Sequence, residues 1–134
     1  MSDPKTDALQ RVYAAFGRGD LNAIIAELAD DIDWISVSEE YHPVVPWYGR
    51  YRGKGEVPRF FKEIGSTVEV TEFTPLSFTA SDTDVMVAIR WAFTVKSTGR
   101  GAVLHMQHRW RFFDGKIVFV RTCEDTEKSV AAFS

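Results

Sequence analysis

Residues 84–125, DVMVAIRWAFTVKSTGRGAVLHMQHRWRFFDGKIVFVRTCED, decide the fold. Side chains alternate here with a period of two, the repeat of a strand whose faces see different surroundings. Val85, Val87, Ile89, Trp91, Phe93 and Val95 alternate with Met86, Ala88, Arg90, Ala92, Thr94 and Lys96. Leu104, Met106, His108, Trp110 and Phe112 alternate in the same way with His105, Gln107, Arg109 and Arg111. The first set of each pair is assigned to the covered face. Thr98-Gly99 and Asp114-Gly115 interrupt the pattern with turn chemistry. The reading therefore gives strands over 84–97, 100–113 and 116–125, and a further one over 67–80 joined through Ser81-Asp82-Thr83. Hairpins in sequence build an antiparallel meander. In the last strand Val118, Val120, Thr122 and Glu124 fall on one face and Ile117, Phe119, Arg121 and Cys123 on the other. Both are partly apolar, which calls for cover on each side.

Upstream the period changes to that of a helix. Asp3-Pro4 is an N-cap followed by proline at the first helical position. Leu9, Val12, Tyr13 and Phe16 then form one apolar stripe that Gly17 and Gly19 end. Asp20 caps a second helix with Leu21, Ile24, Ile25 and Leu28 on its buried face. Residues 32–38 read as a short strand with Trp34 and Ser36 on one side and Asp33 opposite. Residues 39–53 form a loop rich in Pro, Gly and aromatic residues. A third helix opens at Gly53 or Gly55 and ends near Gly65, with Pro58 in its first turn. Asp125 caps a short C-terminal helix over 126–133. Helices first and a meander after give the α+β class, in the order α-α-β-α-β-β-β-β. The expected architecture is a cystatin-like cone: a curved antiparallel sheet with the N-terminal helices packed over its concave face.

The length of 134 residues fits one domain, 1–134. With 16 basic and 19 acidic residues the chain is net negative, which argues against nucleic acid or anionic lipid as a partner. The single cysteine rules out an internal disulfide, and Cys123 reads as an inert, buried thiol on the outer face. No apolar run is long enough for a bilayer, and the first ten residues lack the apolar core of a leader, so a cytoplasmic protein is expected. Four Trp, four Tyr and ten Phe are many large rings for so small an interior. They either overfill a core or wall a cavity.

Three segments, GRGDLNAIIAELADDIDW (17–34), WYGRYRGKGEVPRFF (47–61) and HRWRFFDGKIVFVRTCEDT (108–126), resemble in type and order the nuclear transport factor two-like superfamily. Within it they are most similar to the SnoaL-like and ketosteroid isomerase-related branch. The resemblance covers nearly the whole chain. It implies a conical α+β fold, often paired through the outer sheet face, that hosts isomerases, cyclases, dehydratases and non-catalytic binders alike. Ketosteroid isomerase uses a base on the first strand and an oxyanion pair of tyrosine and protonated aspartate. Aligned on the Gly19-Asp20 turn, the base position falls on Ser36, the tyrosine on Val12 with Tyr13 one residue off, and the aspartate on His108. All three are changed, so that mechanism is not expected here.

His108 and Glu124 are the candidate catalytic pair. An imidazole on the ring-lined face is desolvated and held neutral, able to pass a proton. A carboxylic acid at the mouth of an apolar cavity has a raised pKa and is placed to pair with it. Tyr13, Trp34, Ser36, Trp47, Tyr48, Trp91, Phe93 and Trp110 are the expected lining for a small hydrophobic carbonyl or polycyclic ligand, with Tyr13 or Ser36 as the donor to a developing oxyanion. The plainer reading of each is ordinary packing: a core histidine satisfied by a hydroxyl, a solvated strand end, a filled core. His42, with Trp47 and Tyr48, lies on the loop expected to cover the opening. His105 and His108 face opposite ways on a strand, and neither a metal site nor a cofactor is expected. Arg90, His105, Arg109, Arg111 and Arg121 mark the outer face as a homodimer surface, meeting Glu69 or Glu72 of the other copy. Three functions stay open: an acid–base isomerase, cyclase or dehydratase acting through His108, a binding module with the same pocket, and a dimeric interaction protein.

Overall fold

A computed structural model describes residues 3–134. Its elements are α1 (Pro4–Gly17), α2 (Leu21–Ile25), β1 (Leu28–Ser36), β2 (Gly49–Arg52), α3 (Val57–Thr67), β3 (Val68–Ala80), β4 (Asp84–Val95), β5 (Gly101–Phe113), β6 (Lys116–Cys123) and α4 (Thr126–Ala131). The caps read from the sequence are in place. Asp3 accepts the Lys5 amide at 2.8 Å, Asp20 that of Ala23 at 3.1 Å, and Asp125 that of Lys128 at 3.3 Å. Pro58 lies in the first turn of α3, where no donor is lost.

The strands form one curved sheet in the order β2-β1-β6-β5-β4-β3. Alternation in β4 and β5 holds as expected: Val85, Val87, Ile89, Trp91, Leu104, Met106, His108 and Trp110 are buried, while Met86, Arg90, His105, Arg109 and Arg111 face out. Register shifts interrupt the β3–β4 ladder at Val70/Glu72 and Pro75/Ser77, and such irregularities bend a strand pair. Pro75 is tolerated because β3 is an edge strand. Asp114 and Gly115 both take positive φ (54° and 79°), the backbone a two-residue hairpin turn needs. The covered face packs against α1 through Leu9, Val12 and Tyr13 and against α3 through Phe60 and Ile64.

Four expectations are corrected. The sheet is mixed rather than antiparallel throughout, because β1 lies parallel to β6. The stretch 39–53 is not all loop, since Gly49–Arg52 adds an edge strand, β2, antiparallel to β1. The second helix stops at Ile25, and Leu28 begins β1 four residues earlier than expected. Cys123 is exposed rather than buried.

The arginines of the outer face are ion-paired within the chain: Arg90 with Glu72, Arg109 and Arg111 with Asp84, and Arg121 with Glu39. Asp33 points away from the covered side and pairs with Arg50 at 2.6 Å. Among the described residues no helix is long and apolar enough to cross a membrane.

Candidate functional site

Between the concave face and α1 and α3 lies a chamber in which the centre of a water molecule can occupy about 60 Å³. Tyr13, Trp34, Ser36, Trp47, Trp91, His108, Trp110 and Glu124 all line it, as expected from the sequence. Tyr48 and Phe93 sit behind this lining. Phe93 packs against Trp91 with ring centroids 4.7 Å apart and the rings tilted by 40°, and Tyr48 packs beside Trp47 and reaches Glu124. Phe16, already on the apolar stripe of α1, is joined in the wall by Phe60, Phe61 and Phe73, which the sequence reading did not single out. His42 organises the covering loop, its Nδ1 accepting the Val44 and Val45 amides at 3.1 Å each.

His108 is held from behind. Its Nδ1 lies 2.8 Å from the Tyr13 hydroxyl, and Trp110 Nε1 lies 2.9 Å from that same oxygen. An indole nitrogen can only donate, so Tyr13 accepts from Trp110 and has one proton of its own to give. The acceptor in reach is His108 Nδ1. In the tautomer in which Tyr13 donates to His108 Nδ1, the imidazole proton sits on Nε2, the nitrogen left over for the chamber. Burial pushes the His108 pKa down to about 3, so the ring is a neutral N–H donor at pH 7. Burial also raises the Tyr13 pKa, which keeps the phenol protonated in its bridging role. With that hydroxyl committed, Tyr13 supports His108 and is not itself the ligand's donor.

Glu124 occupies the second polar position. Its Oε2 accepts the Tyr48 and Ser129 hydroxyls at 2.5 Å each. Burial raises the Glu124 pKa, while the hydrogen bonds from Ser129 and Tyr48 and the nearby Trp91 indole act to lower it. The phase assigned to β6 holds for Val120, Thr122 and Glu124, which all reach the chamber, whereas the register shift at Arg111/Phe112 turns Ile117, assigned to the outer face, into the core. The expected His108–Glu124 hydrogen bond is absent, because each group is engaged by its own partners. His108 stands opposite Thr122, and Glu124 lies two residues further along the chain, just past the end of β6. That offset is roughly 7 Å at the rise of a strand, room for reacting atoms between the two.

Among the described residues two buried donors stay unpaired: Trp34 Nε1 and Trp91 Nε1 have no hydrogen-bond partner. Trp91 lies near enough to Glu124 to favour its anion yet outside hydrogen-bond geometry. Each such N–H costs about 1–3 kcal/mol relative to a satisfied one. The chamber thus combines apolar walls, an excess of N–H and O–H donors, and one carboxyl group. Among the described residues no three His, Cys, Asp or Glu side chains gather closely enough to hold a metal ion.

Comparison with known proteins agrees with this architecture. The chain is 25% identical to an NTF2-like protein of unknown function from Burkholderia pseudomallei K96243, with a TM-score of 0.89 over 99% of both chains. It is 27% identical to an NTF2-like protein from Burkholderia thailandensis E264, with a TM-score of 0.87 over 100% of this chain and 99% of that one. TerC, crystallised with polyporic acid, shares the fold at 20% identity, with a TM-score of 0.85 over 98% of each chain. No curated protein matches the chain at a significant level. The family model for the SnoaL-like domain matches residues 9–120, most of the chain, from within α1 to the middle of β6. The chain belongs to the SnoaL-like domain family.

Proposed function

We propose that the chamber binds a small, flat, hydrophobic carbonyl compound and moves a proton on it. His108 Nε2–H donates to the carbonyl oxygen, and Glu124 takes a proton from the neighbouring carbon. The C–H electron pair shifts into the new C=C bond, and the former carbonyl π pair settles on the oxygen held by His108. Return of the proton to another carbon gives isomerisation. Attack of the enolate carbon on a second carbonyl closes a ring, and loss of a β-hydroxyl group as water gives dehydration. A neutral imidazole whose acidity is set by burial donates without the cost of carrying charge into an apolar site. A desolvated carboxylate is a stronger base than one in water.

The observation that carries this reading is the Trp110–Tyr13–His108 chain, in which Tyr13 as donor to Nδ1 leaves Nε2–H for the ligand. Family membership supports the reading, and TerC with polyporic acid is a case of the fold with a small molecule. The test is deuterium uptake at the methyl group of acetophenone in D₂O, followed by proton NMR. The wild-type protein should accelerate uptake over buffer, and Glu124→Gln should lose about 10²–10⁴-fold of that acceleration. Uptake at the buffer rate with acetophenone bound would leave a binding module.

Pairing of two copies through the outer face is our proposal for its partner, supported by exposed Met86, Val103 and Phe113 among the arginines. Sedimentation at micromolar concentration that finds a monomer would refute it.

A further inference from the structure

β1 ends in a turn that ordinary packing does not explain. Val37 takes φ 64°, and the Ser38 amide reaches back to the Ser36 carbonyl at 2.7 Å. An amide-to-carbonyl bond across one residue of positive φ is a γ-turn of the strained kind. A β-branched residue is a poor choice there, since its side chain crowds the backbone. Such strain persists only where surrounding contacts over-determine it, and it gathers at functional sites.

The contact that holds the turn comes from Thr122, whose Oγ1 accepts the Val37 amide at 3.1 Å. Thr122 is paired with Ser36 on one side and with His108 on the other. Ser36, Thr122 and His108 therefore form one polar row across three neighbouring strands, and all three line the chamber. The row is buried, with Ser36 only 1% exposed. Ser36 lines the chamber, and its backbone carbonyl is the group used by the turn.

We propose that the strained turn at Val37, held by Thr122, positions the Ser36 hydroxyl as a second donor to the ligand oxygen that His108 contacts. Ser36 is the ligand-contacting residue, and Thr122 and Val37 are positioning residues. The inference rests on the carbonyl-binding reading above and adds the residues that set the direction from which the oxygen is held. Hydroxyl and imidazole approach the oxygen along one row of the sheet, from the strands on either side of β6, so both lone pairs are used. A ligand carrying a hydrocarbon in place of the carbonyl would leave Ser36 unpaired.

The experiment compares 4-fluoroacetophenone with 1-ethyl-4-fluorobenzene, which has nearly the same shape and no oxygen, by fluorine NMR titration. The quantity read is the ratio of the two dissociation constants, in which damage to the chamber walls cancels. Ser36→Ala should shift that ratio against the ketone by about five- to tenfold, the loss of one hydrogen bond, and leave the hydrocarbon's affinity unchanged. Thr122→Val should shift it in the same direction, and Thr122→Ser, which restores the hydroxyl, should return it. A structural role for Thr122 alone would weaken both compounds together. An unchanged ratio in Ser36→Ala, or equal losses for both compounds in Thr122→Val, would overturn the inference while leaving the chamber reading in place. If neither compound binds the wild-type protein, the carbonyl-binding reading falls and the inference falls with it.

Discussion

The two faces of β5 share a backbone and differ in almost everything else. On the concave side His108 and Trp110 are buried and locked to Tyr13 by directed hydrogen bonds. On the convex side Arg109 and Arg111 share the carboxylate of Asp84 and remain in contact with water. The concave histidine has its proton affinity moved far, because low polarizability acts where water is excluded. Charge is plentiful on the outside and does little there. Inside, a few polar groups determine the chemistry. The lesson is that the site is made by desolvation and not by a concentration of charge.

The largest test of that contrast is Trp110→Ala, which opens a void on the concave side and removes the donor to Tyr13. It should cost about 3–5 kcal/mol in urea unfolding, and a loss below about 1 kcal/mol would mean the wall is loosely packed. Next is the response to acid. His108 has a folded pKa of about 3 against 6.5 for the ordinary side chain, so below pH 6.5 the unfolded chain binds a proton that the folded one refuses. Stability should fall by about 2 kcal/mol between pH 7 and pH 5 on this account alone. Glu124, with a raised pKa, works the other way: it favours the folded state as acid is added and withdraws that support as pH rises above the usual carboxylate range. The comparison of wild type with His108→Gln isolates the first effect, and equal acid sensitivity in the two would refute it. The smallest effect belongs outside. Arg109→Ala should change the unfolding midpoint by no more than about 0.5 kcal/mol, as expected of an exposed ion pair. A larger loss that shrinks as the protein is diluted would instead identify the convex face as a contact between copies.

Much of the fold is legible in the sequence for a physical reason. A strand with one covered face must alternate, and β4 and β5 alternate over their whole length. The caps at Asp3, Asp20 and Asp125 are equally readable because each satisfies a local amide. β2 escaped notice because four residues, GRYR, between glycines and prolines carry too little pattern to separate a strand from a loop. The parallel pairing of β1 with β6 joins residues more than eighty positions apart, and nothing local records it. At the site, the sequence places His108, Glu124 and the rings on one side, but not their partners. Glu124 is met by Tyr48 and Ser129, from a loop and a six-residue helix, whose approach is set by tertiary packing. The turn at Val37 is the least legible feature, since valine is the residue local rules would place there last.

Ser129 ties the chamber's carboxyl group to the final helix. A helix of six residues has little tendency to form alone and relies on its docking, which includes the bond from Thr98 to the Ala132 carbonyl at 2.7 Å. Trimming the tail, or fusing a peptide to it, would therefore retune the acidity of Glu124 from a distance while the strands stay as they are. The last turn of the polypeptide acts as an adjusting screw on the basicity of the site.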